Sequence, residues 1–440
     1  MYDAIVIGAR CAGSPTAMLL CRKGYRVLVI DRATFPSDTI STHFLWPMGA
    51  SYLNRWGLLD ALLTSTPSWD TFTGTLEGIV LRGGVPLEAI RRRLQHVHGD
   101  DSGAVNVFSD PRRRILDALL LDAAARAGAE IRQGFLVEEL LQEGGRVVGI
   151  RGRQRGGGAV TERARVVIGA DGRHSFVAHA LELPKLKERP KCTFAYWSYY
   201  SGLSMEGLHM PLHQRGRLKL AFARTNDGLS LMLIFGPAEW FNDFRRDVEG
   251  NFLKVIEFVS PEVAERLRSC RREERFYGTA DQPNYYRAAS GPGWALVGDA
   301  AYMKDQCTAL GMTHAFRGVE LLVVALHEGL SGQRPLDDAL ADYSRRHIEA
   351  AEGYFDFIST QAEMNVAPRG ELQLALAMRG NPQHIDRFIC TFGDVLSAAE
   401  FFAPESIGQI VQAAKETSYL YPIFQHYETK LEEYNSNPFV

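Results

Sequence analysis

Two glycines, Gly8 and Gly13, and an aspartate, Asp31, are the first residues of this 440-residue chain whose types and spacing could do chemistry. They frame the turn GARCAG, in which Arg10, Cys11 and Ala12 stand between the glycines. Before the turn runs the apolar, β-branched YDAIVI; after it comes SPTAMLLCRKG, of helix-forming composition; then YRVLVID ends at Asp31, with Arg32 beside it. The chemistry this spells is phosphate and ribose binding. Glycine permits the tight turn, the helix N-terminus offers free N–H groups to a pyrophosphate, and an acid about 20 residues on meets a ribose hydroxyl. Arg10 takes the place of the second glycine of G-x-G-x-x-G, which counts against NAD. Its cationic tail offers a contact to phosphates or to the bound cofactor instead.

Two further apolar runs end in the same kind of residue. ARVVIGADG closes on Asp171 and Gly172, and PGWALVGDAA closes on Gly298 and Asp299. Ligands of α/β folds gather at the carboxyl ends of strands, so three such ends predict one extended cofactor crossing them all. His43, in the loop STHFLWP, is a candidate base or cofactor contact, against the simpler reading of a packed, hydrogen-bonded histidine. The strand FAYWSYY alternates, with Tyr196 and Tyr200 on one face and Trp197 on the other. One face should cover a substrate cavity. Tyr196, Trp197, Tyr200 and, from ADQPNYYR, Asn284 are the substrate-binding candidates; core packing is the competing reading.

The elements that position these residues follow from periodicity. Residues 76–108 read as strands and turns; RRRILDALLLDAAARAGAEI is a helix stopped by Gly128; short antiparallel strands follow, with glycine turns at 144–145 and 156–158. Residues 190–278 are rich in aromatic strands, and from about residue 312 the chain is mostly helical. The net charge of −3 gives no electrostatic reason for a nucleic-acid partner. The six cysteines show no C-x-x-C spacing, which argues against a zinc site and a dithiol pair, and no metal site is expected. With a strand starting at residue 2 and no apolar run of membrane length, the expectation is a cytoplasmic protein without integral membrane association.

The three glycine/aspartate blocks, with RRRILD as a fourth, resemble the FAD-dependent group A monooxygenases, the para-hydroxybenzoate hydroxylase superfamily. More narrowly they resemble bacterial FAD-dependent oxidoreductases of secondary metabolism. GADGRHSFV is similar to that family's DG motif and ALVGDAAYMKDQCTALGMTHAF to its GD motif, with Arg113 in the arginine position of Arg-x-x-Leu-Asp. The resemblance implies an α/β fold: a Rossmann-like FAD-binding domain of GR2 type with an inserted antiparallel substrate domain and C-terminal helices. The expected partition is 1–75, 105–178 and 279–335 for FAD binding, 76–104 and 179–278 for substrate, and 336–440 for the helices, which cap the substrate domain or form a homodimer contact. It implies FAD, NADPH or NADH as transient reductant, and O2 as co-substrate. Asp299 would accept from ribityl hydroxyls, and the helix starting near Ala309, Leu310, Gly311 and Met312 would point its N-terminus at the flavin. The family places His and Pro-Pro inside the GD motif; here Tyr302, Asp305 and Gln306 stand there. Asp305 or Gln306 is therefore a candidate partner of the oxygen chemistry, or a solvated turn.

The implied activity is oxygenation of an aromatic or polyketide-like small molecule through a flavin C4a-hydroperoxide. A reductase of prenyl double bonds, similar to geranylgeranyl reductase, is the alternative. A flavin halogenase stands behind it, because the Trp-x-Trp-x-Ile-Pro signature is absent. A flavin-binding protein without turnover is the non-enzymatic reading.

Overall fold

Apolar strands that are buried on both faces need parallel neighbours and covering helices. A computed structural model of the chain, which describes residues 1–39, 41, 43–205, 211–414 and 421–440, arranges them that way. The central sheet runs Trp294–Leu296, Ala159–Gly169, Tyr2–Ile7, Val27–Asp31, Glu130–Gln133, all parallel. Ile7 lies opposite Gly169, and Gly169 opposite Leu296. The Ala170 amide donates to the Ile7 carbonyl at 2.8 Å, and the Val297 amide to that of Gly169 at 3.0 Å. The three strand ends singled out in the sequence therefore leave the sheet side by side at one edge.

Helices Gly13–Arg22, Arg113–Arg126 and Gly311–Leu330 pack around this sheet. The N-terminal part of Ala159–Gly169 pairs instead with an antiparallel meander, Phe135–Glu143 and Arg146–Gln154, whose turn is Gly144–Gly145 with φ of +56° and +77°.

A second sheet carries Thr193–Ser201, Ser230–Pro237, Leu218–Arg224, Pro211–Arg215, Phe72–Leu76 and Ile79–Gly83 in that order. Its outer face is covered by Val248–Val259 and Pro261–Leu267. Residues 76–108, read as strands and turns, also contain a helix, Leu87–His98. Pro86 precedes it, Gly99 at φ +80° stops it, and Ile90 and Leu94 are its buried stripe. The C-terminal helices Arg369–Met378 and Pro382–Phe392 fold back onto the strand Ile79–Gly83. The approach is close: a Cβ on Gly83 would stand 2.5 Å from Asp386 Oδ1. That same oxygen accepts from the Gly84 amide at 2.8 Å. Among the described residues no helix is long and apolar enough to cross a membrane.

Candidate active site

At the sheet edge, the backbones converge so closely that side chains are excluded. A Cβ on Gly13 would lie 1.8 Å from the Gly8 carbonyl oxygen, and one on Gly8, at φ +103°, 2.4 Å from that of Ala170. A Cβ on Gly298, at φ +67°, would meet Ala12 Cβ at 2.9 Å. Gly172 and Gly311 are the opposite case: nothing lies within 4 Å of the Cβ each lacks. Tight glycines beneath and open glycines above make a shallow bed along the edge, fitted to an extended ligand that touches backbone.

The polar groups of the bed are fixed by their neighbours. Asp31 accepts from the amides of Ala9, at 2.8 Å, and Ala33, at 2.7 Å; a carboxylate has further lone pairs for a ribose. Asp171 Oδ2 accepts from the Phe176 and Val177 amides, while its Oδ1 is buried without a partner. Burial pushes the Asp171 carboxyl above its usual range. Thr308 Oγ1 and Thr313 Oγ1, at the start of Gly311–Leu330, are likewise buried and unpartnered. Asp299 is half-buried, and Arg32 is exposed. Leu310 and Met312 are buried at the helix entry, behind Ala309 at φ +54°.

Arg10 does not reach out from the turn. Its guanidinium pairs with the fully buried Asp117 at 2.7 Å and donates to Ser37 Oγ at 2.9 Å. Asp117 also takes Arg113, at 3.0 Å, and the Cys11 thiol, at 3.3 Å. The arginine in the fingerprint and the Arg-x-x-Leu-Asp helix are thus one device, an ion-pair knot that holds the turn against Arg113–Arg126.

Beside the bed lies a cavity. Its floor is the second sheet (Ala221, Ala223, Leu231, Leu233, Phe235), and one side is Phe44, Trp46 and Phe72. The GD-motif loop Gln306–Ala309 forms the end next to the bed, and Leu374, Met378, Phe388 and Phe392 form the roof.

The structure brings Gln306, a candidate for the oxygen chemistry, to this cavity, and none of the four substrate candidates. Tyr196 packs on Phe241 and Phe244 on the outer face of the sheet; Tyr200 belongs to that same outer core. Trp197 is on the inner face, yet it stacks on Tyr277 at 5.8 Å. Asn284 donates to the Pro190 carbonyl and accepts from the Asp305 amide. Asp305 is turned away as well: its carboxylate accepts from Thr193 Oγ1 at 2.6 Å and from the Cys307 amide at 2.9 Å. It fixes the GD loop and does not face the cavity. His43 is buried at φ +62°, its Nε2 hydrogen-bonded to the Tyr199 hydroxyl and its Nδ1 unpartnered. Burial pushes its pKa down to about 3, so it is neutral and a poor proton acceptor near pH 7. Asp110, which sequence reasoning passed over, lines the cavity with both carboxyl oxygens unpartnered. Its only signal was position, three residues before Arg113.

Residues 1–201 match the family model described as an FAD binding domain. That match spans a little under half of the chain and shows an FAD binding domain there. Among curated relatives, this chain is 30% identical to Protein FixC of Salmonella typhi over 43% of the chain and 40% of that protein. It is 27% identical to squalene epoxidase 1 of Arabidopsis thaliana over 73% of the chain and 58% of that protein. Both alignments span less than two thirds of the relative's length. Two solved structures share the fold. The flavin-dependent brominase Bmp2 aligns over 98% of this chain and 99% of its own, at 18% identity and a TM-score of 0.73. Pseudomonas aeruginosa PqsL, solved with 2-aminobenzoylacetate, aligns over 82% and 96%, at 21% identity and a TM-score of 0.68.

Proposed function

We propose that this flavoprotein is an NAD(P)H-dependent monooxygenase that oxygenates an apolar, largely aromatic or polyketide-like molecule. The observation that carries the reading is the aromatic-walled cavity ending on Gln306–Ala309, directly beside the glycine bed. The bed fits FAD: the helix N-terminus after Gly13 would hold the pyrophosphate, Asp31 the adenosine ribose, and Asp171, Gly172 and Asp299 the remaining length. Bound FAD supplies reduction by NAD(P)H and activation of O2. The residues of this chain do the rest. The start of Gly311–Leu330 places helix N–H groups where negative charge is favoured, and the roof helices keep water from the cavity. Phe44, Trp46 and Phe235 orient a flat substrate.

The names of the relatives support both oxygen insertion and an apolar substrate: squalene epoxidase 1 for an isoprenoid, PqsL for a small aromatic ligand. The aliphatic stretch of wall at Leu212, Leu231, Leu374 and Ile389 also suits a prenyl chain, which favours a prenyl reductase as the second reading.

The test reduces the FAD-loaded protein anaerobically with NADPH or NADH, then adds isotope-labelled O2 with aromatic and prenylated compounds. Label in the product is the expected result. Saturation of a prenyl double bond without O2 would replace this reading with the reductase. Protein that takes up no FAD would remove both.

A further inference from the structure

Asp110 is a carboxyl group with nothing to hold it. It is wholly buried, lines the cavity, and has no hydrogen-bond partner for Oδ1 or Oδ2. Its backbone, by contrast, is pinned. The Asp110 carbonyl accepts from Thr225 Oγ1, and the amide of Arg112, two residues on, donates to Asn226 Oδ1 at 2.9 Å. Pro111 between them restricts Asp110 to extended backbone. Asp110 is thus fixed in the cavity wall by a rigid backbone mount, with its carboxyl oxygens buried and unpartnered.

The charged and titratable groups around it do not neutralise an anion. The Arg112 guanidinium is engaged by Glu274 and Asp38 and lies over the Tyr199 ring. Tyr199 is bonded to His43. Lys219 and Glu371, also in the cavity wall, are at its other end, where Lys219 donates to the Gln361 carbonyl. From Lys219 to Thr225, beside Asp110, the strand runs roughly 20 Å at about 3.3 Å per residue. An ionised carboxylate in such a place is strongly disfavoured, and a neutral one still needs an acceptor for its O–H.

We propose that Asp110 is kept as a neutral carboxylic acid whose O–H donates a hydrogen bond to a carbonyl or phenol oxygen of the substrate. The proposal rests on the monooxygenase reading for the word substrate, and it narrows the substrate class. The cavity takes an apolar aromatic molecule with an oxygen at the end remote from Lys219, and selects against the same skeleton without that oxygen. Burial acts in the same direction, holding the carboxyl well above its usual range.

Two measurements on the FAD-loaded protein test this without turnover. Infrared difference spectra of the parent protein against Asp110→Asn at neutral pH should show a protonated-carboxyl carbonyl stretch that the variant lacks. Its absence overturns the proposal. Titration with α-tetralone and with tetralin, its ketone-free analogue, followed by flavin absorbance, should show a preference of about tenfold or more for the ketone. Asp110→Asn, which keeps an N–H donor, should retain most of that preference, and Asp110→Leu should lose it. No preference in the parent protein, or an equal one in Asp110→Leu, overturns the proposal. Neither readout needs oxygen transfer, so failure of the labelled-O2 experiment and failure here are distinguishable.

Discussion

Single atoms decide much of what the bed can do. Gly13→Ala would drive a methyl group to 1.8 Å from a backbone oxygen that has no room to yield. Shifting that backbone costs on the order of 1–3 kcal/mol. The expected result is a protein that retains FAD about tenfold less well, read from the ratio of flavin to protein absorbance. Neighbouring residues of the GD loop should behave oppositely. Asp305→Ala removes two buried hydrogen bonds and strands their donors, for a loss of about 1–3 kcal/mol seen as a lower melting temperature. Gln306→Ala, whose side chain borders the cavity, should leave melting within about 0.5 kcal/mol and shift ligand affinity instead. Equal melting of the two variants would contradict this division. The sequence marked both positions as departures from the family motif. It did not tell them apart, because Asp305 owes its orientation to Thr193, over a hundred residues away.

At the scale of elements, the strand–turn–helix units were readable because each is local: strand, glycine turn and acid lie within a few dozen residues of one another. The helices Leu87–His98 and Val248–Val259 have helical spacing of their own, but they sit among strand-like stretches that dominated the reading. The cavity was less readable still. Alternation in FAYWSYY separates two faces without saying which looks inward, and the wall is shared by segments near residues 44–81, 212–235, 306–309 and 361–402. One long-range tie joins three of the helices. Buried Asp394 accepts from Arg317 on Gly311–Leu330, at 2.7 and 2.9 Å, and from Arg93 on Leu87–His98, at 3.1 Å. Its own turn follows Pro382–Phe392. Asp394→Asn leaves two guanidinium groups short of their anion. Thermal unfolding should report a loss of about 3–5 kcal/mol, the usual cost of breaking a buried pair from one side. A change below 1 kcal/mol would show that the tie does not hold the helices.

For the whole molecule, the buried histidines set the response to acid. Burial lowers His43 and His347 to about 3, His98 and His213 to about 4, and also puts His314 well below the usual range. In each, the folded pKa lies below the unfolded value near 6.5. The unfolded chain therefore binds the extra protons, and stability present above pH 6.5 is lost as the pH falls toward 4. Glu77, pushed up to about 7 by burial, works against this between pH 4.5 and 7, and the buried carboxyls of Asp110, Asp171 and Asp305, also raised by burial, act in the same direction as Glu77. The five histidines outweigh the raised carboxyls, so melting temperature should fall from pH 6.5 to 4.5, with little relief from added salt because burial is the main cause. A flat profile over that window would contradict the burial of these rings.

The roof over the cavity has a consequence for descent. Leu374, Met378, Phe388 and Phe392 come from helices late in the chain, whereas the nucleotide bed is made at residues 8–13, 169–172 and 298–299. Substitutions that redraw the roof need not disturb the turns beneath the cofactor. A lineage built on this plan can exchange one small molecule for another by drift in two short helices, while its coenzyme stays the same.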